Sequence, residues 1–174
     1  MKSNTFNDFI KPVLVLVIIC VIASFLLAAT NGVTEPIIEK AKIAQAEATR
    51  KELLPKATSF SQIACDTANV ESVYKDDGGS GFVVTSYANG YGGRLTVTVG
   101  FNPDGSIISI KVDASGETAT VGGKAALPEY TDLYKGATQS ADGIDTISGA
   151  TISSKAVKKA VNAAFEAFDA AKEA

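Results

Sequence analysis

Between Asp145 and Ser154 the chain sets hydroxyls at Ser148, Thr151, Ser153 and Ser154 around Gly149, where an amphipathic helix begins. Backbone N–H groups at a helix start lack acceptors and point outward, so such a turn suits a phosphate. The helix field is worth about 0.3–1 kcal/mol to an exposed anion and ~2 kcal/mol to a partly buried one. That alone is too little to retain a cofactor tightly. The same hydroxyls are good helix caps, and on local physics alone capping is the stronger reading. Two other stretches stand out. Gly90-Tyr91-Gly92-Gly93 presents one aromatic among glycines, and Glu117-Thr118-Ala119-Thr120-Val121-Gly122 presents one carboxylate in a hydroxyl-rich loop. Taken alone, Tyr91 reads as a turn aromatic covering a sheet edge and Glu117 as a solvated charge.

All three stretches resemble one family. Asp145 through Thr151, with its Ser-Gly-Ala-Thr core, is similar to the flavinylation site of the FMN-binding domain found in the G subunit of the Rnf complex and in the C subunit of the Na+-translocating NADH:quinone oxidoreductase. The resemblance implies FMN bonded through a phosphoester to Thr151, with Asp145 read by a flavin transferase and Ser148, Gly149 and Ala150 completing the motif. Gly90–Gly93 resembles the family's Gly-Tyr-Gly-Gly segment, which brings in Tyr91. Residues 117–122 resemble a Glu-Thr-Pro-Gly-Leu-Gly loop that lies against the isoalloxazine ring. Glu117, Thr118 and Gly122 match it, while Ala119, Thr120 and Val121 replace Pro, Gly and Leu.

Elements must position these residues. Leu95, Val97, Val99 and Phe101 alternate with Thr96 and Thr98, and Ile108, Ile110 and Val112 alternate with Ser109 and Lys111. Asn102-Pro103-Asp104-Gly105 between them is a turn, so residues 94–112 form a hairpin. Residues 70–74 and 82–87 are further strands around an Asp-Asp-Gly-Gly turn. Val157, Ala160, Val161, Ala164, Phe165 and Phe168 share one stripe at helical spacing, which predicts a helix over about 153–172 packed on the sheet. The fold class is α+β, an antiparallel sheet packed with helices. The glycine- and hydroxyl-rich segment 113–124 reads as a functional loop.

Residues 13–29 carry no charge. As a helix, residues 13–30 rise roughly 27 Å, near the ~30 Å of bilayer hydrocarbon. Lys2 and Lys11 precede them and Glu35 is the first charge after, so the N-terminus stays cytoplasmic and the bulk lies outside. A cleaved signal peptide is the competing reading, although its apolar core is usually ~7–15 residues. Residues 35–54 read as a helical stalk that continues or closely follows the span, with Pro36 suited to a first turn and Pro55 ending it. The expected organisation is a cytoplasmic segment 1–12, a transmembrane helix 13–30, a stalk 31–55 and an extracytoplasmic domain 56–174.

Composition narrows the chemistry. The net charge is −3, which disfavours nucleic-acid partners. Histidine is absent, so a Ser-His-Asp triad and His-ligated metal are excluded, and no metal site is expected. Cys20 and Cys65 are too few for a four-cysteine cluster. Cys20 lies in the apolar run, so no disulfide is expected.

The resemblance implies an electron-carrying component of an ion-translocating ferredoxin–NAD oxidoreductase. Its partners would be other membrane and redox subunits and, during maturation, the transferase. It would have no independent turnover. Alternatives are the C subunit of the quinone reductase, an anchored flavoprotein serving exterior acceptors, and a non-redox anchored binding module.

Overall fold

A computed structural model describes residues 10–173. Most of the expected cytoplasmic segment, residues 1–9, lies outside the described residues. The chain divides into two compact units, Met1–Ala46 and Glu47–Ala174.

The first unit is occupied by α1 (Lys11–Leu53), whose final turns enter the second unit. An 18-residue window of α1 has a mean hydropathy of 3.0, and the helix is long and apolar enough to cross a membrane. Its apolar side chains, Val13 to Leu27 among them, are exposed all round. The Thr30 and Thr34 hydroxyls donate to the carbonyls of Leu26 and Thr30, each at 2.8 Å. Those bonds pair two polar groups that would otherwise be costly in apolar surroundings. Pro36 sits inside this one helix and not at the start of a second. A proline removes a single ladder bond, and the flanking sequence favours helix strongly enough to run through it.

The second unit is built on an antiparallel sheet in simple meander order. Its strands are β1 (Phe60–Ile63), β2 (Val70–Asp76), β3 (Phe82–Asn89), β4 (Arg94–Phe101) and β5 (Ile107–Asp113). The expected β4–β5 hairpin is present, closed by a bond from Gly105 N–H to the Asn102 carbonyl. After it come a 3-10 turn (Gly122–Ala126), the short helix α2 (Pro128–Thr131), a second 3-10 turn (Asp132–Tyr134) and the long helix α3 (Thr151–Glu173). Helix α3 covers one sheet face. Leu95, Val97, Val99 and Phe101 of β4 are fully buried, as are Val157, Ala160, Val161 and Ala164 of α3. Phe168 packs edge-on to Phe82 at 5.2 Å between centroids and tilted on Phe101 at 4.9 Å. On the other face, Leu53 and Leu54 bury against Val83, with Phe60, Tyr74 and Ile108 around them.

Strand β1, α2 and the two 3-10 turns were not expected. β1 has two exposed residues out of four and no apolar alternation to betray it. The short turns and α2 are anchored by the buried Tyr130 and Tyr134, whose phenols hydrogen-bond at 3.0 Å. Burial foremost, with that bond, holds the Tyr134 phenol far above its ordinary pKa.

A buried carboxylate locks the β1–β2 end of the sheet. Asp76 accepts the Ser80 hydroxyl at 2.6 Å, the Ser80 N–H at 2.9 Å and the Thr58 N–H at 3.2 Å. These donors, the Ser80 hydroxyl first, lower its pKa to about 2. In the unfolded chain the group returns to its ordinary value near 3.8. The unfolded state therefore holds the proton more tightly. The stabilisation is complete above the unfolded value and is lost as pH falls towards about 2. Asp76→Asn is expected to lower Tm at neutral pH and to flatten its decline on acidification through that window. Melting curves at successive pH values measure both; an acid limb of unchanged steepness would refute the assignment.

Candidate functional site

The groove lies where three loops meet the first turn of α3. Thr151 is the first residue of that helix, two residues earlier than the apolar stripe alone suggests. The turn before it is set by Gly149, whose φ of 81° is a left-handed conformation that side chains resist. Ala150 N–H then bonds to the Ile147 carbonyl at 3.0 Å, and Ser154 N–H to the Ala150 carbonyl at 2.9 Å. Among the described residues no acceptor is found for the N–H groups of Thr151, Ile152 and Ser153. They are the unpaired donors a helix start offers to an anion.

The hydroxyls of the turn do different jobs. Ser154 is fully buried; its hydroxyl donates to the Ala150 carbonyl at 2.9 Å and accepts from Ile147 N–H at 3.1 Å. It laces the turn from inside the helix, so the stabilising role assigned to capping falls here. Ser153 is also buried, and its hydroxyl donates to Glu117 Oε2 at 2.8 Å. Thr151 is exposed, and none of its neighbours among the described residues engages its hydroxyl. Beneath the turn the Tyr130 phenol approaches the Ser154 carbonyl at 3.5 Å, so the buried tyrosine pair props α3 at its start.

A groove of about 420 Å³ opens beside Thr151. Of the residues singled out from sequence, Tyr91, Glu117, Thr118, Gly149, Ala150 and Thr151 all line it. Ser148 and Asp145 are exposed on the same turn but lie outside the lining. Lys155, one turn further along α3, lines a separate cleft with Asp142, Lys159 and Glu166. Lys158 donates to the carbonyls of Asp142 and Ile144 at 2.9 and 2.8 Å, tying the 142–144 loop to α3.

Two apolar lining residues stand outside the expected site residues. Val121 and Ile152 join Tyr91 as exposed apolar side chains at the groove, at 43, 54 and 77 % exposure. Large apolar groups left in water around a concavity suit a flat, apolar ligand. Their signal in the sequence was their position, each beside a motif residue. Gly122 also lines the groove, and a Cβ there would collide with Glu117 Oε2 and the Ser153 hydroxyl. Glycine at this position is thus a matter of space.

The groove therefore combines free N–H donors, an available hydroxyl, an apolar rim and one carboxylate. That donor set fits a phosphate-bearing aromatic group: the anion at the helix start, the ring against Tyr91, Val121 and Ile152.

The family of FMN-binding domains matches residues 90–166, which contain all three motif segments and the start of α3. Two relatives are similar across nearly the whole chain. The G subunit of the Na(+)-translocating ferredoxin:NAD(+) oxidoreductase complex of Acetobacterium woodii is 31% identical, over 89% of this chain and 89% of that one. The G subunit of the proton-translocating ferredoxin:NAD(+) oxidoreductase complex of Clostridium ljungdahlii is 27% identical, over 87% of this chain and 86% of that one. The crystal structure of NqrC from Shewanella oneidensis shares the fold at a TM-score of 0.50 and 23% identity, covering 70% of this chain and 73% of that one. With an FMN-binding domain that includes the start of α3, and with likeness to these relatives along nearly its whole length, the chain belongs to the G-subunit family of the ion-translocating ferredoxin:NAD(+) oxidoreductase, or Rnf, complexes.

Proposed function

We propose that this protein is the electron-transfer subunit of an Rnf-type complex and carries FMN covalently on Thr151, outside the membrane. The observation that carries the reading is the exposed Thr151 hydroxyl at the first turn of α3, beside a groove shared with Tyr91, Glu117 and Thr118. When bound, the flavin supplies the one- and two-electron chemistry, and the chain supplies position and electrostatics.

The free N–H groups of Thr151, Ile152 and Ser153, together with the helix field, would hold the phosphate. Tyr91, Val121 and Ile152 offer apolar contact to the ring, and Glu117 and Thr118 the polar wall. Attachment would join the Thr151 oxygen to the flavin phosphorus: the hydroxyl would give up its proton, and the phosphorus–oxygen bond to the leaving group of an activated FMN would break, its electron pair departing with that group. A flavin transferase that reads Asp145 and residues 148–151 serves this step.

A tether is useful outside a cell, where a dissociated cofactor dilutes away. It also makes docking of the ring intramolecular, so modest contacts hold it. In this reading residues 13–30 span the membrane, residues 31–55 form the stalk and residues 56–174 the exterior domain. Lys2 and Lys11 mark the cytoplasmic side. The partners are the other membrane and redox subunits, and the chain has no turnover by itself.

Intact mass of the chain isolated from its native membrane is expected to exceed the sequence mass by one esterified FMN. Yellow fluorescence should stay with the band on a denaturing gel. A colourless band of unmodified mass would defeat the proposal.

A further inference from the structure

We infer that Glu117 is a positioning residue that clamps the 90–93 turn to the first turn of α3, and that its charge on the groove wall makes the bound flavin harder to reduce. The inference deepens the function proposed above and rests on it. Three segments distant in sequence meet at this one carboxylate. Oε1 accepts from Gly92 N–H at 3.0 Å and Oε2 accepts from the Ser153 hydroxyl at 2.8 Å. The backbone is fitted closely round it: a Cβ at Gly90 would strike Oε1, as one at Gly122 would strike Oε2. At either position a side chain would push the carboxylate aside and cost it these bonds.

The clamp has consequences for the groove. Tyr91 stands between Gly90 and Gly92, so the bond to Gly92 fixes the turn that presents its ring. Ser153 lies two residues after Thr151, so the second bond fixes the helix turn that presents the attachment hydroxyl. Among the described residues no lysine or arginine pairs with Glu117. Its charge faces the groove without a counter-charge. A half-buried negative charge beside a ring disfavours added electrons, by Coulomb repulsion in a medium less polar than water. Glutamine keeps the shape and one carbonyl acceptor, and the Ser153 hydroxyl can turn to suit the amide. The charge and the clamp are therefore separable.

The test uses the full chain co-produced with its flavin transferase and titrated potentiometrically. In the flavin-bearing fraction of Glu117→Gln, the ratio of reduced to oxidised flavin at fixed potential should shift several-fold to tenfold towards reduced. Tenfold corresponds to about 30 mV for a two-electron couple. Ser153→Ala keeps the charge and loses one bond, so its shift should be much smaller. An unmoved ratio in the flavin-bearing fraction of Glu117→Gln would overturn the charge effect. The clamp is read separately in unlabelled chain from the Gly92 amide proton resonance. It should move upfield in Glu117→Ala and stay nearly in place in Glu117→Gln; no movement in Glu117→Ala would overturn the clamp. A wild-type chain that acquires no flavin would instead overturn the functional proposal, and the charge effect with it.

Discussion

Thr151→Val is expected to reduce covalent flavin from nearly complete to undetectable on a chain that still folds. Valine keeps the branched shape of threonine and removes only the hydroxyl. The side chain is exposed at the first helical position, so its loss should move Tm by no more than about 1–2 °C, as surface substitutions usually fall within ~0.5 kcal/mol. The neighbouring hydroxyls cannot readily take over. Ser153 is 2% exposed and committed to Glu117, and Ser154 is fully buried and bonded to Ala150. Ser148 and Thr146 are exposed, but neither lines the groove. Thr151→Ser retains a hydroxyl at the same place and should recover labelling in part. Intact mass and gel fluorescence of the variants, co-produced with the transferase, decide the matter. Persistent flavin on Thr151→Val would move the acceptor to Ser148 or Thr146 and break the link between the groove and attachment.

The sequence made the central sheet and α3 legible for a plain reason: their apolar residues recur at the periods of the elements they occupy. Leu95, Val97, Val99 and Phe101 alternate because one face of β4 meets α3, and Asn102–Gly105 is a turn by composition. β1 escaped because its stability is polar and non-local. Ser59 and Ser61 each donate a 2.6 Å hydrogen bond to Asp77, from across the sheet edge. The run from Gly122 to Tyr134 escaped because its turns are too short for any period to emerge, and two tyrosines buried under α3 fix them.

The site divides in the same way. Thr151, Tyr91, Glu117 and Thr118 could be singled out because each sits in a short motif. The tie between Glu117 and Ser153 could not, since 36 residues separate them and only the fold brings them to hydrogen-bonding distance. Sequence also made every hydroxyl of residues 148–154 look alike. Burial and hydrogen bonding make Ser154 a brace and Ser153 a clamp partner, and of the two exposed hydroxyls, Ser148 and Thr151, only Thr151 lines the groove.

Phe168→Ala should be the most destabilising of the substitutions considered. Phe168 is 2% exposed and fills the space between Phe82 and Phe101, with Gly105 against its ring edge. Removing a buried phenyl group loses its transfer free energy and leaves a cavity, together about 3–5 kcal/mol. That is a large part of the ~5–15 kcal/mol that stabilises an ordinary domain. For a domain of this size Tm should fall on the order of 15 °C. Phe168→Leu keeps much of the volume and should fall by well under half as much. Phe168 lies 17 residues along α3 from Thr151, roughly 25 Å by helix rise, so the attachment turn is untouched where the domain stays folded. Labelling at low temperature should therefore survive Phe168→Ala while thermal unfolding, followed by far-ultraviolet circular dichroism on the detergent-solubilised chain, comes early. A variant that melts like the wild type would show that α3 is not what holds the sheet. One that melts early and also labels poorly in the cold would show that attachment needs the whole packed core, and not the local turn alone.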